Sequence, residues 1–125
     1  MLISGSDVPI ELLDLRRHTA YSGGYADSQP YIESFWRVME SFSEADRRAF
    51  LAFVTSVPRP PLLGFASLTP RFGIQRVPIT GDGDRLPTAS TCFSLLKLPF
   101  PYSSEAVLRE KLLLAVHAGA GFELT

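Results

Sequence analysis

The chain has 125 residues, 46% of them hydrophobic and 20% charged, which suits one folded domain that buries roughly two-thirds of its unfolded surface without disulfides or metal. Twelve basic against thirteen acidic residues leave a net charge of -1, which argues against a sequence-independent grip on phosphate backbones or anionic lipid; no nucleic-acid or membrane partner is expected. One cysteine cannot close an internal disulfide, no apolar run approaches the roughly 20 residues that span a bilayer, and "MLISGSDVPIELLDLRR" lacks a basic leader before a long apolar stretch. The expectation is a soluble intracellular protein.

In chain order, "ISGSDVP" reads as a hinge lying almost at the start. The stretch "SDVPIELLDLRRHT" predicts a short helix, with Asp7 as N-cap and Glu11 in an early turn. "YSGGYADSQP" breaks the chain, because Gly23-Gly24 tolerates backbone angles that other residues avoid. Pro30 then suits a first helical turn, and Ile32, Phe35, Trp36 and Met39 recur at the spacing of one buried helical face. Ser43 opens a second helix, with Asp46 three residues on and Phe50, Phe53 and Val54 as its apolar stripe. The aromatic residues of this pair are assigned to core packing rather than to a ligand pocket.

Pro58, Pro60 and Pro61 forbid a regular helix in "VPRPPLLGFASLTP", leaving a rigid crossover within the domain or, alternatively, a proline-rich docking site. "RFGIQRVPIT" predicts a strand with Phe72 and Ile74 on one side, and "GDGDR" a loop. "CFSLLKLP" is apolar on both faces, as in a strand covered on two sides. Ser103 or Ser104 is placed to cap a last helix whose inward stripe is Leu108, Leu112, Ala115 and Val116, ending at Gly119 or Gly121. The fold class is a small single α/β (α+β) domain, several helices around a small mixed sheet.

Cys92 has two readings. An isolated cysteine beside an apolar strand is ordinarily a small core residue. Yet "LPTAST" before it is polar and short-chained, a surface-loop composition, and Ser90, Thr91 and Ser94 place hydroxyls near the thiol. A cysteine hydrolase needs a histidine base, and His18 and His117 both read as surface side chains. Two separated histidines and one cysteine show no metal-ligand spacing, and "GDGD" is too short for a calcium loop. Thioester exchange asks for less. The acyl group is already activated, and an ordinary cysteine with a pKa near about 8.5 is a few per cent thiolate at neutral pH.

"LPTASTCFSLLKLP" closely resembles the catalytic-cysteine signature of HECT-type ubiquitin ligases: Leu-Pro, polar residues ending in Thr, Cys, then Phe and a Leu-rich strand. "LISGS", "YSGGY", "FWRVMESFSEADRRAFLAFVTS", "LLGF" and a tail with phenylalanine fourth from the end follow in the family's order, so the resemblance covers essentially the whole chain. "PRPPLLGF", "LPTAST" and "GFEL" look most like the branch that includes proteasome-associated chain-extending ligases.

This resemblance implies the smaller, C-terminal lobe of a two-lobed catalytic domain, residues 10-125, with residues 1-9 as interlobe hinge or end of the N-lobe. It implies that Cys92 accepts ubiquitin as a glycyl thioester and passes it to a lysine, that Leu86, Pro87 and Thr91 shape the presenting loop, and that Phe122 positions the lobe for transfer. The partners implied are ubiquitin, a ubiquitin-conjugating enzyme recruited through the N-lobe, protein substrates and the proteasome, in the cytoplasm and nucleus. No cofactor or metal is implied. Many members carry histidine two residues before the cysteine, where this chain has Ser90, so the base is open. Asp82 and Asp84 are candidates by proximity in sequence, against a plain solvated turn, and Glu123 is a candidate contributor to chain linkage. The rival class is a non-catalytic ubiquitin- or partner-binding module of the same shape.

Overall fold

Pro30 at the first helical position, where a missing N–H costs nothing, starts α2 (Pro30–Ser41). The computed structural model describes residues 8–118, and within it α2 buries the expected face: Ile32, Phe35, Trp36 and Met39, joined by Val38. The next helix, α3 (Glu44–Thr55), begins at Ser43, whose Oγ accepts the Asp46 N–H at 3.1 Å. Phe50 of α3 sits between Phe35 and Phe72, with ring centroids 6.1 and 5.9 Å away, and so joins the helix pair to the sheet. Phe53 is only half-buried; Leu51 takes its predicted place in the core.

The first helix, α1 (Leu12–Arg17), is shorter than predicted, and its N-cap position is Glu11. Asp7 lies outside the described residues. The reason for the late start is tertiary. The Ile10 N–H donates to Glu44 Oε2 at 3.0 Å and the Ile10 side chain is buried, which holds the entering chain extended against α3.

Four strands form one mixed sheet in the order β1-β2-β4-β3. Strands β1 (Ala20–Ser22) and β2 (Gly73–Pro78) are parallel, as are β2 and β4 (Leu95–Phe100), whereas β3 (Thr88–Ser90) runs antiparallel to β4. Phe72 and Ile74 are buried as predicted. Strand β4 departs from its predicted form in two ways. It starts at Leu95 rather than at Cys92, and it is covered chiefly on one face, Leu96 and Leu98 being buried while Leu95 and Lys97 are half-exposed.

The proline-rich segment is an intradomain crossover. It makes one 3₁₀ turn, Phe65–Ser67, and Phe65 is anchored by its buried ring and by its N–H on Asp14 Oδ2 at 2.8 Å. At Gly23, with φ of 72°, a Cβ would come within 3.0 Å of the Arg76 carbonyl oxygen, so the turn after β1 requires glycine. The last helix, α4 (Glu105–Ala118), is capped by Ser104 Oγ, which accepts the Val107 N–H at 3.1 Å. It buries Leu108, Leu112, Ala115 and Val116. Gly119 and Gly121 lie outside the described residues. Among the described residues, four α-helices with a four-stranded mixed sheet make this a small α+β domain.

Candidate active site at Cys92

The register Ser90↔Leu95 between antiparallel β3 and β4 leaves residues 91–94 to reverse the chain. Thr91–Phe93 do so as a 3₁₀ turn, and Ser94 completes it in the left-handed region at φ of 50°. The Ser94 N–H donates to the Thr91 carbonyl at 3.3 Å, and the Ser94 carbonyl accepts the Gly73 N–H at 3.0 Å. The turn is thereby fixed to β2, and α3 packs against it. Cys92 stands on this turn as a free, exposed thiol, and Phe93 beside it is 66% exposed. Of the two sequence readings of its position, core or surface, the surface one is the one the fold realises.

The other predicted loop residues divide. Pro87 is buried and anchors the chain before β3, Leu86 is at the surface, and Thr91 is exposed next to the thiol. Ser94, expected to offer its hydroxyl near Cys92, is buried. Thr91 and Ser94 line one side of a groove of about 680 Å³, whose other side is the proline-rich crossover, including Val57, Pro60 and Leu62. Leu62 and Leu63 are 90% and 86% exposed. Sequence reasoning missed that the crossover stands beside the cysteine; the signal was its run of unprotected leucines after the prolines.

Neither histidine serves the thiol. His18 Nδ1 lies 2.9 Å from the Asp14 carbonyl on α1. His117 Nε2 lies 2.9 Å from Asp46 Oδ1, in the first turn of α3. Thr55, at the other end of α3, lines the groove, and nine helical residues separate the two by about 14 Å. The carboxylates of the "GDGDR" turn are likewise committed. Asp82 accepts the N–H and hydroxyl of Ser103, which hold its carboxyl below the usual carboxylate range. Asp84 Oδ2 accepts the Thr80 N–H at 3.1 Å. Among the described residues no cluster of His, Cys, Asp and Glu has the makings of a metal site. Phe122 and Glu123 lie outside the described residues, as does most of the predicted hinge.

The site is therefore a lone exposed thiol on a rigid mount beside an apolar groove, a chemistry suited to accepting an activated acyl group rather than to hydrolysing an amide. Its exposure is checkable. A small maleimide should label Cys92 stoichiometrically in the native state, and protection until denaturant is added would contradict the placement.

A HECT-domain (ubiquitin-transferase) family model matches residues 1–125. The chain is 54% identical over 123 residues to a probable E3 ubiquitin protein ligase of Schizosaccharomyces pombe, covering 98% of this chain and 12% of that protein. It is 49% identical to E3 ubiquitin-protein ligase HUL5 of Saccharomyces cerevisiae, over 100% of this chain and 13% of that protein. Ubiquitin-protein ligase E3B of Homo sapiens matches at 46% identity, over 99% of this chain and 14% of that protein. The chain thus spans 12–14% of the length of these curated relatives, and over that span it belongs to the HECT-domain (ubiquitin-transferase) family.

Proposed function

We propose that this chain is the thioester-forming lobe of a HECT E3 ubiquitin ligase. The observation that carries this reading is the exposure of the chain's only cysteine on a turn pinned between β3, β4 and β2. The Cys92 thiolate attacks the thioester carbonyl joining ubiquitin to its conjugating enzyme, and the conjugating enzyme's cysteine leaves as thiolate. A lysine amine then attacks the new thioester; the isopeptide bond forms, the Cys92 thiolate departs and the amine loses a proton. One thioester replaces another in the first step, so positioning, rather than a resident base, is the main demand. Burial of Pro87 fits a role in holding the loop, and exposed Leu86 and Thr91 fit roles on the surface it presents.

Residues 1–9 act as the interlobe hinge and residues 10–125 as the lobe. The docking of Ile10 on Glu44 supports that boundary, because the chain becomes committed to the core there. Ubiquitin, a charged conjugating enzyme held by an N-lobe, protein substrates and the proteasome are the partners in this reading. The test is to fuse an N-lobe to this chain, add activating enzyme, conjugating enzyme and ubiquitin, and run a non-reducing gel. A band heavier by one ubiquitin and removed by thiol supports the assignment. Its absence would leave a binding module without covalent chemistry and refute the proposal.

Phe122 acts at the second step. Phe122→Ala is expected to leave ubiquitin loading intact and to slow discharge to lysine by about tenfold or more, equivalent to roughly 1.4 kcal/mol of lost transition-state positioning. Equal loss of both steps, measured by loading and single-turnover discharge, would remove the division of labour.

A further inference from the structure

At the other end of β4 from Cys92, the carboxyl ends of the parallel strands open onto a second groove, of about 540 Å³. The six residues of β4 (Leu95–Phe100) separate the two sites by roughly 17 Å of strand. In sheets of parallel strands this is the edge at which ligands are commonly received, because chain crossings leave a crevice and helices begin there. Here the groove is bounded by the start of α2 and the start of α4, and walled by Tyr25, Tyr31 and Phe100. The Tyr31 and Phe100 rings meet edge to face at 4.9 Å. Both phenols are spoken for: the Tyr25 hydroxyl donates to the Leu98 carbonyl at 2.9 Å and the Tyr31 hydroxyl to the Pro99 carbonyl at 2.7 Å. The walls therefore present ring faces and edges rather than free donors.

Two unmatched positive groups share this groove. Arg76 lies over the Phe100 ring at 5.2 Å, and its Nε is buried with no hydrogen-bond partner among the described residues. The rest of the side chain keeps part of its surface open. Contrast Arg16, whose guanidinium is held by Asp27 at 2.8 Å and Glu33 at 2.7 Å. The second group is the N-terminus of α2. No side chain caps it, because Gln29 is turned back, donating to the Gly24 carbonyl at 2.8 Å and accepting the Ala26 N–H at 3.0 Å. A partly open guanidinium with no carboxylate partner among the described residues and an uncapped 12-residue helix thus line one cavity, and an anion complements both.

We propose that this groove is a second recognition site, which binds an acidic, partly apolar peptide segment of a partner protein, with a carboxylate between Arg76 and the start of α2 and a neighbouring apolar side chain against Tyr31 and Phe100. Charge and shape select this occupant. Glu105 also lines the groove, paired with Arg37 at 2.9 Å, so a dianionic phosphate would meet one free cation and a nearby carboxylate. A single carboxylate matches the single guanidinium, and the aromatic walls take the apolar residue beside it. The site is independent of the thiol chemistry, which lies at the opposite edge of the sheet.

The test is NMR titration of the ¹⁵N-labelled chain with a heptapeptide of alternating glutamate and leucine, with its glutamine counterpart, and with inorganic phosphate. The acidic peptide should shift the amides of Gly24, Tyr31 and Ile32 and the Arg76 Nε–H saturably, while the glutamine peptide does not. Arg76→Gln should weaken binding by about tenfold or more, the value of one charge-assisted hydrogen bond. Ser34→Glu, at a half-buried position lining the groove, should do the same without touching Arg76. Maleimide labelling of Cys92 should be unchanged in both variants. Equal binding of the two peptides, shifts confined to other surfaces, or saturation by phosphate but not by the acidic peptide would each overturn the proposal.

Discussion

Replacing Cys92 by alanine is expected to abolish the thiol-labile ubiquitin adduct and to cut lysine ubiquitination by a factor on the order of 10⁴ or more, the usual scale for removing a nucleophile. Stability should stay within about 0.5 kcal/mol of the parent. The two halves of this expectation come from the same geometry. The thiol is exposed and contributes nothing to the core, while the turn that carries it is held by backbone bonds from Ser94 to Thr91 and from Gly73 to Ser94. Neither bond involves the side chain being removed. Intact-mass measurement of loading together with thermal melting checks both halves. A large fall in melting temperature would mean that the cysteine is a packing residue after all.

The second large effect is structural. Phe50→Ala should cost about 3–5 kcal/mol, a large share of the roughly 5–15 kcal/mol available to a domain of this kind. Phe50 is 1% exposed and touches Phe35 and Phe72, so its ring is where α2, α3 and the residue leading into β2 meet. Because α3 also backs the Cys92 turn, loss of this contact should reduce ubiquitin loading in proportion to the folded fraction. Urea denaturation measures the first effect and loading at several temperatures the second. A loss below about 1 kcal/mol would contradict the packing described, since cavities of this size are never that cheap in a close-packed core.

The parts of the fold that were legible in the sequence are those whose signal is local. The α2 stripe repeats at helical spacing, Ser43 and Ser104 stand where caps belong, and both helices begin where they should. Strands β1 and β3 were not legible. Each is three residues long, too short for alternation to show, and each exists because of partners far away in sequence: Ala20 pairs with Gly73 and Ser90 with Leu95. "LPTAST" reads as a loop because its residues are small and polar, yet Thr88–Ser90 within it pair as an edge strand. The late start of α1, at Leu12, has a related cause. Glu44, more than 30 residues on, holds the Ile10 N–H and keeps that stretch extended.

Cys92 itself shows the limit most clearly. Its neighbours allowed a core or a surface position, and only the register of β3 on β4 decides, by forcing the reversal at residues 91–94. The family motif in "LPTASTCFSLLKLP" points the same way. The groove around Arg76 had no sequence signal, because Gly24, Tyr31, Arg76 and Phe100 are brought together only by the parallel pairing of β1, β2 and β4.

A pulse–chase separates the two steps of the proposed relay through Cys92. The N-lobe fusion is charged once with labelled ubiquitin, the supply is quenched, and free lysine is added while the adduct and product are followed on non-reducing gels. The relay predicts that a thiol-labile adduct on Cys92 decays at the rate at which ubiquityl-lysine appears, and that Cys92→Ala gives neither. Lysine product formed at the parent rate by Cys92→Ala, or an adduct that survives thiol, would contradict it.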